Sequence, residues 1–162
     1  MKYFEIHSVL ELRRGRALPS FMAYPASSYT VGAARTVSVS GSLERDWDGD
    51  GKLDLVTLMF NYHDLGHLGI DRAAMNKAVF KALKSGGVYV IADHAGRPGT
   101  GISEAGTLHR IEEAFLRREV EAAGFKLAAE GTFLRNPNDP RDKNTPDPPQ
   151  PKDEFVLKFV KP

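Results

Sequence analysis

The sequences LDLVTLMF at residues 53–60 and VYVIA at residues 88–92 are nearly continuous apolar runs, and they decide the predicted fold. Strands that are covered on both faces of a parallel sheet have this composition. Between the two runs, Asp71 is a suitable helix N-cap and Gly86-Gly87 a suitable helix stop. Apolar residues recur there at helical spacing, namely Met75, Ala78, Val79, Ala82 and Leu83. Strand, helix and strand in this order predict an open α/β sheet.

The same alternation continues toward the C-terminus. Residues 125–129 are a third strand candidate, and the alternating residues 155–160 are a fourth. Residues 135–154 contain six of the ten prolines and no aliphatic or aromatic side chain, which predicts a surface loop. A second helical stripe precedes the third strand and stops at Gly124; it consists of Ile111, Phe115, Leu116, Val120 and Ala123.

Length and composition favour one soluble domain over residues 1–162. The 22 basic and 21 acidic side chains give a formal net charge of +1, which argues against nucleic acid as a partner. The absence of cysteine excludes disulfides, thiolate metal sites and cysteine nucleophiles. No apolar run reaches the roughly 18 residues of a membrane span, and the N-terminus does not resemble a signal peptide. We therefore expect a cytoplasmic protein without a membrane partner.

Residues 1–52 form an atypical N-terminal segment. Short strand candidates occur at residues 9–12 (VLEL) and 36–40 (TVSVS). Prolines, glycines and serines between them leave no long amphipathic helix. The sequence predicts little regular structure for this segment.

Residues 53–162 resemble the C-terminal half of a class I S-adenosylmethionine-dependent methyltransferase. More narrowly, they resemble a bacterial group of predicted methyltransferases. The resemblance rests on five segments in consistent order: LDLVTLMFNYHDL (53–65), AAMNKAVFKALKSGGVYVIADHAG (73–96), TLHRIE (107–112), VEAAGFKLAAEGTFLRNPNDPRD (120–142) and DEFVLKFVKP (153–162). It implies a Rossmann-like sheet, mostly parallel, with an antiparallel last strand inserted beside the family's fifth strand. It also implies S-adenosylmethionine as cofactor and a small molecule as substrate.

The family's cofactor-binding half has no counterpart in residues 1–52. That half carries a glycine-rich turn after its first strand and an acidic residue that holds the ribose. Three strand–helix units need about 75–90 residues. We therefore expect a truncated, cofactor-site-deficient domain or a fragment of a longer gene. The 53–60 strand would be an open sheet edge, and a homo-oligomer would cover it.

A functional cleft is expected beyond the carboxyl ends of the strands. The resemblance implies Asn61, Tyr62 and His63 as pocket residues, and Asp93 lies at the end of the next strand. The candidate cofactor contacts are Asn61, Tyr62 and Asp93.

Three of the five histidines are the catalytic candidates, namely His63, His94 and His109. His63 or His94 is suited to general-base catalysis because imidazole titrates near neutral pH. Two alternatives stay open. Each histidine can instead order a loop, and the i, i+4, i+8 spacing of His63, His67 and Asp71 would suit Zn²⁺ on a helix.

Residues 46–54 (DWDGDGKLD) resemble the calcium loops of EF-hand-like and integrin-type repeats. The ligands implied by that likeness are Asp46, Asp48, Asp50, the Lys52 carbonyl and Asp54. An acidic Asp-Gly turn without a metal is the alternative. The sequence thus predicts either a methyltransferase-like enzyme or a non-catalytic or repurposed oligomeric binding domain stabilised by Ca²⁺.

Overall fold

The computed structural model describes residues 53–145 and 151–162 with their side chains, and the backbone of Lys2–Ile6 and Arg35–Thr36. In this part of the chain there are six strands and four helices. The strands are β1 (Lys2–Ile6), β2 (Arg35–Thr36), β3 (Leu53–Met59), β4 (Leu83–His94), β5 (Lys126–Gly131) and β6 (Glu154–Val160). The helices are α1 (Tyr62–His67), α2 (Arg72–Ala82), α3 (Ala105–Leu108) and α4 (Glu113–Ala122).

All six strands join in one sheet, in the order β2-β1-β3-β4-β6-β5. Backbone pairing is parallel between β1 and β2, between β1 and β3, and between β3 and β4. β6 lies between β4 and β5 and is antiparallel to both, which confirms the predicted antiparallel insertion. Where side chains are described, only β3–β4 is a parallel pair. This part is therefore a mixed α/β sheet, and the prediction of a mostly parallel sheet is only partly met.

The predicted open edge at the 53–60 strand is wrong. β1 pairs with β3 from Tyr3↔Leu55 to Ile6↔Leu58 and covers that edge. The sequence reading missed β1 because it placed the first strand at residues 9–12, which lie outside the described residues. The homo-oligomer stays a prediction, but this edge no longer supports it.

Helix α2 begins as predicted and ends earlier than predicted. The Asp71 side chain accepts a hydrogen bond from the Ala74 backbone N–H at 2.9 Å, which is an N-cap contact. The helix ends at Ala82, so Gly86-Gly87 is not its stop. Between Leu53↔Leu83 and Leu55↔Val88, β4 advances five residues and β3 only two. Gly86 (φ +76°) lies in the resulting bulge, where its N–H donates to the Lys161 carbonyl.

The second predicted helix forms as α4, which is shorter than the predicted apolar stripe from Ile111 to Ala123. Ile111 precedes the helix and instead forms a parallel bridge with Ala95 at the end of β4. Gly124 follows the helix with φ +110°, in agreement with the predicted stop. Helices α2 and α4 pack against each other, and α2 also packs on β4. The apolar core lies between these helices and the sheet and includes Val56, Leu58, Val79, Tyr89, Ile91, Leu116, Val120, Phe155, Leu157 and Phe159.

Candidate functional site

The three candidate histidines meet at the carboxyl ends of β3 and β4. The ring centroid of His63 lies 5.5 Å from that of His94 and 5.6 Å from that of His109. His63 is in α1 directly after β3, and His94 ends β4. His109 is the C-cap of α3. We call His63, Asp64, Asp93, His94 and His109 the histidine site.

Asp93 fixes the orientation of His63. Its Oδ1 lies 2.6 Å from Nδ1 of His63, and its Oδ2 accepts the backbone N–H of the same residue at 2.9 Å. Its Oδ1 also accepts the backbone N–H of His94 at 2.8 Å. Asp93 is fully buried and His63 is 2% exposed. The carboxylate therefore joins the first turn of α1 to the end of β4 and leaves Nε2 as the outward-facing nitrogen of His63.

Asp64 occupies the outer side of His63. Nε2 of His63 lies 3.2 Å from Asp64 Oδ1. Burial alone would lower the pKa of His63, but hydrogen bonds to Asp64 and Asp93 and the charges of both carboxylates raise it to about 9. Burial opposes the change at Asp64 too, but its hydrogen bond with His63 and the charge of that ring lower its pKa. His63 and Asp64 therefore form an ion pair at neutral pH.

His109 completes the outer side of the histidine site. Its Nδ1 lies 3.2 Å from the same Oδ1 of Asp64. The His109 side chain is 35% exposed and that of Asp64 is 29% exposed, so both can be reached from solvent. The His109 backbone has φ +52° and ψ +50°, a left-handed conformation that costs free energy in a non-glycine residue. The surrounding chain thus holds this imidazole in place.

His94 differs from the other two histidines. Burial, together with the nearby charges of His63, Lys152 and Arg110, lowers the pKa of His94 to about 3. Its ring stacks on Phe60, with centroids 5.2 Å apart. Its Nδ1 lies 2.9 Å from Oε1 of Glu154 but is not aligned for a hydrogen bond. His94 is therefore a neutral ring behind His63.

The predicted cofactor contacts are engaged within the protein. The Tyr62 hydroxyl donates to Oε2 of Glu119 at 3.0 Å and accepts from Nδ2 of Asn76 at 2.7 Å, and the side chain is fully buried. Asn61 donates from Nδ2 to the Met59 carbonyl at 2.7 Å. Because Tyr62 and Asp93 are both buried and hydrogen-bonded, they do not fit direct contact with a nucleoside cofactor.

Most of the predicted calcium loop lies outside the described residues. This applies to Asp46, Asp48, Asp50 and Lys52. Asp54 is described, and it accepts a hydrogen bond from Nζ of Lys84 at 3.0 Å. Ca²⁺ binding stays a prediction of the sequence.

The Zn²⁺ spacing of His63, His67 and Asp71 does not form a common site. Helix α1 ends at His67, and the Asp71 side chain caps α2. His63 instead shares Asp64 with His109, and the ligand atoms of these three residues lie within 4.8 Å of one another. Sequence spacing missed this set because His109 is distant in the chain.

The sequence also missed a second polar cluster beside the histidine site. The fully buried Arg110 donates from Nη1 to Asp139 Oδ2 at 2.9 Å and to the Ala95 carbonyl at 2.9 Å. Asp139 also accepts the backbone N–H groups of Asp153 and Arg141. Nη2 of Arg141 in turn donates to Oδ2 of Asp153 at 2.6 Å. We call Arg110, Asp139, Arg141 and Asp153 the arginine cluster.

The arginine cluster corrects the prediction that residues 135–154 are only a surface loop. Asp139, Thr145 and Asp153 are buried, although the segment has no aliphatic or aromatic side chain that would predict burial. The backbone N–H of Thr145 donates to the Leu108 carbonyl at 3.1 Å, directly before His109. The loop therefore packs on the chain that carries the outer imidazole. Residues 146–150 lie outside the described residues.

No protein-family model and no curated protein matches this chain. Solved structures match its fold at low sequence identity. The [4+2]-cyclase SpnF matches 80% of this chain with 56% of its own, at 15% identity and a TM-score of 0.52. A possible histamine N-methyltransferase from Thermotoga maritima, described as S-adenosylmethionine-dependent, matches 78% of this chain with 64% of its own, at 14% identity and a TM-score of 0.52.

A third match extends the comparison. Geranyl diphosphate C-methyltransferase from Streptomyces coelicolor A3(2) matches 80% of this chain with 54% of its own, at 11% identity and a TM-score of 0.50. The chain has the fold of S-adenosylmethionine-dependent methyltransferases. It spans less than two thirds of the length of each of these three structures. Because one of the three is a cyclase, the fold by itself does not determine the reaction.

In the part of the chain that the structure describes, none of the helices combines the length and the apolar composition needed to cross a bilayer.

Proposed function

We propose that this chain is a methyltransferase-like domain that binds a small molecule at the carboxyl ends of β3 and β4. The observation that carries the proposal is the histidine site: a buried Asp93–His63 pair supports two solvent-accessible groups, Asp64 and His109. In open α/β sheets, ligands bind beyond the strand ends, where this site lies.

The chain's own residues divide the work in this site. Asp93 holds the His63 ring, and His63 holds the Asp64 carboxylate in its ionised form. A carboxylate in that state accepts hydrogen bonds from a hydroxyl or ammonium group. His109 provides a second polar group next to the same carboxylate oxygen. A small polar molecule with such a group is the ligand class that this arrangement suits.

S-adenosylmethionine does not fit the described residues as they stand. The hydroxyl of Tyr62 and the carboxylate of Asp93 are taken by protein partners. Cofactor contacts would have to come from residues outside 53–145 and 151–162. Because the sequence of residues 1–52 also has no glycine-rich turn of the kind that the family uses, we propose that the cofactor site is deficient.

Calorimetric titration of the whole chain with S-adenosylmethionine and S-adenosylhomocysteine tests this proposal. We expect neither a saturable heat nor a rise in melting temperature at millimolar ligand. A saturable heat for either compound would contradict the cofactor-site deficiency and would support S-adenosylmethionine-dependent methyl transfer to a small molecule. Asp142→Ala changes an exposed loop position, and its titration in parallel serves as a control for non-specific heats.

A non-catalytic or repurposed oligomeric binding domain stabilised by Ca²⁺ is the second candidate. This candidate is favoured by the hydrogen bonds that Tyr62 and Asp93 form within the protein, which give both residues a structural role. If residues 46–54 hold Ca²⁺, a chelator lowers the melting temperature, since an ion at 100 times its dissociation constant stabilises by about 2.7 kcal/mol. An unchanged melting temperature would contradict stabilisation by Ca²⁺. A monomer in light scattering would contradict the homo-oligomer.

A further inference from the structure

We propose that His63, Asp64 and His109 bind a divalent transition-metal ion of the Zn²⁺ or Fe²⁺ class. The ligand atoms would be Nε2 of His63, Oδ1 of Asp64 and Nδ1 of His109. Two imidazoles and one carboxylate are a donor set that these ions accept in proteins. This site differs from the acidic loop at residues 46–54 and does not depend on S-adenosylmethionine.

The distances around Asp64 suit shared coordination. Oδ1 of Asp64 lies 3.2 Å from Nε2 of His63 and 3.2 Å from Nδ1 of His109. Two ligand atoms that each bind one tetrahedral ion at about 2.0–2.1 Å are separated by about 3.3 Å. Charge-assisted hydrogen bonds are shorter, about 2.7–2.9 Å. One ligand atom from each of the three residues lies within 4.8 Å of the others, and a small movement of the partly exposed His109 ring would bring all three onto one ion.

The buried Asp93 provides the support that metal-binding histidines commonly have. A histidine that ligates a metal usually donates its other ring N–H to a carboxylate, which fixes the tautomer and the ring orientation. Nδ1 of His63 lies 2.6 Å from Asp93 Oδ1, and both residues are shielded from solvent. Nε2 is therefore the nitrogen of His63 that faces Asp64, and an incoming ion would bind it in place of its proton.

Charge balance favours a cation at the same point. Two carboxylates, Asp64 and Asp93, lie against His63, and their ion-pair partners in the described part of the chain are histidines. With both coordinating imidazoles in the neutral form that binds a metal, a divalent ion would compensate the two negative charges in place of the His63 imidazolium. Three protein ligands also leave one position open, as in catalytic metal sites. Because Asp64 and His109 are partly exposed, that position can be reached by water or substrate.

The loop behind His109 prepares the third ligand. The left-handed backbone of His109 is held by contacts on two sides. The next residue, Arg110, is buried and binds Asp139, and the Thr145 hydroxyl lies 3.3 Å from the His109 carbonyl. A left-handed conformation in a non-glycine residue requires such support and is frequent at functional sites. The arginine cluster thus places an imidazole where Asp64 can share an ion with it.

Metal titration of the demetallated whole chain tests the site. Zn²⁺ is titrated by calorimetry in the presence of excess Ca²⁺, which saturates any oxygen-only site at residues 46–54. Co²⁺ is titrated in parallel, and its visible absorption reports nitrogen and oxygen ligands. We expect one ion per chain for each metal and an affinity at least tenfold lower in Asp64→Asn and in His109→Asn.

Two comparisons keep the test decisive. His67→Asn changes an exposed histidine on the same helix and should retain the wild-type affinity. Asparagine tolerates a left-handed backbone, so His109→Asn removes the imidazole while the fold is kept; circular dichroism verifies that. No stoichiometric binding, equal affinity in all variants, or loss confined to His67→Asn would each overturn the proposal. The metal affinities are measured without S-adenosylhomocysteine, so the outcome of this test is independent of whether the chain binds that compound.

Discussion

The Arg110–Asp139 pair of the arginine cluster, which we call the closed cluster, and the histidine site are neighbouring groups of buried charges, but only the histidine site has members that are open to solvent. Arg110 and Asp139 are almost completely buried and satisfy each other together with backbone groups. The histidine site is equally buried at Asp93 and His63, yet its outer members, Asp64 and His109, are partly exposed. A closed cluster acts on stability, since no ligand can reach it. An open cluster with the same internal order is suited to hold a ligand.

The largest expected effect is at the closed cluster. Asp139→Ala removes the only side-chain carboxylate that pairs with the fully buried Arg110 among the described residues. An unpaired buried charge costs about 3–5 kcal/mol, and we expect the free energy of unfolding to fall by that amount. Urea denaturation measures it. Asp142→Ala, three residues along the same loop and exposed, should change it by less than about 0.5 kcal/mol. Equal losses in both variants would make the cluster unimportant.

Tyr62 is expected to behave as a member of a closed cluster and not as a ligand contact. Tyr62→Phe removes the group that joins Asn76 and Glu119, and leaves Asn76 Nδ2 without that acceptor. We expect a loss of about 1–3 kcal/mol in the free energy of unfolding.

Tyr89→Phe is the matched control for Tyr62→Phe. Tyr89 is also fully buried, but its hydroxyl has no hydrogen-bond partner among the described residues. Its removal should be neutral or stabilising, because an unpaired buried hydroxyl carries a desolvation cost. The comparison fails if the two substitutions have the same effect in thermal or denaturant unfolding.

The pH dependence of stability tests the contribution of Asp139 to the closed cluster. Burial opposes the shift, but the backbone N–H groups of Asp153 and Arg141 and the guanidinium of Arg110 lower the pKa of Asp139 below its ordinary value. Its contribution is therefore fully present above the ordinary carboxyl pKa of about 3.9 and is lost as the pH falls through the lower folded-state pKa. As the pH falls below about 4, stability should therefore decline less steeply in Asp139→Asn than in the wild-type protein. An identical decline in both proteins would remove Asp139 as the source.

The smallest effect on stability is expected at the open end of the histidine site. His109→Asn should change the free energy of unfolding by no more than about 0.5 kcal/mol, because the ring is partly exposed and asparagine accepts its backbone conformation. Chemical denaturation without metal measures this. A loss comparable to that of Asp139→Ala would show that His109 belongs to a closed cluster as well.

Local patterns predicted most of the elements of residues 53–162. Apolar runs and helical spacing identify β3, α2 and the centre of β4, and Asp71 caps α2 as expected. The predicted end of α2 and the predicted start of β4 were wrong, because the bulge before Val88 depends on pairing with β3 and on a hydrogen bond to the Lys161 carbonyl. Such partners are distant in the chain, and no local pattern contains them.

The sequence indicated the histidine site only in outline. The order of strands places His63 and His94 at one sheet edge, and the structure brings His109 to the same point. The role of Tyr62 was not predictable in the same way, because its hydroxyl is taken by Glu119, 57 residues later in the chain. The positions nearest in sequence to a strand end are therefore not all directed into the site.

The sequence by itself determined the α/β fold of residues 53–162 and the edge of the sheet where polar residues gather. Apolar periodicity and strand order are local properties, and they are sufficient for that result. Only the tertiary structure decided which of those polar groups are closed off and which stay open. Arg110 is buried because Asp139, 29 residues later, neutralises it, whereas Asp64 keeps an exposed side beside His109. Burial and charge pairing between distant residues separate the two clusters, and spacing along the chain does not encode them.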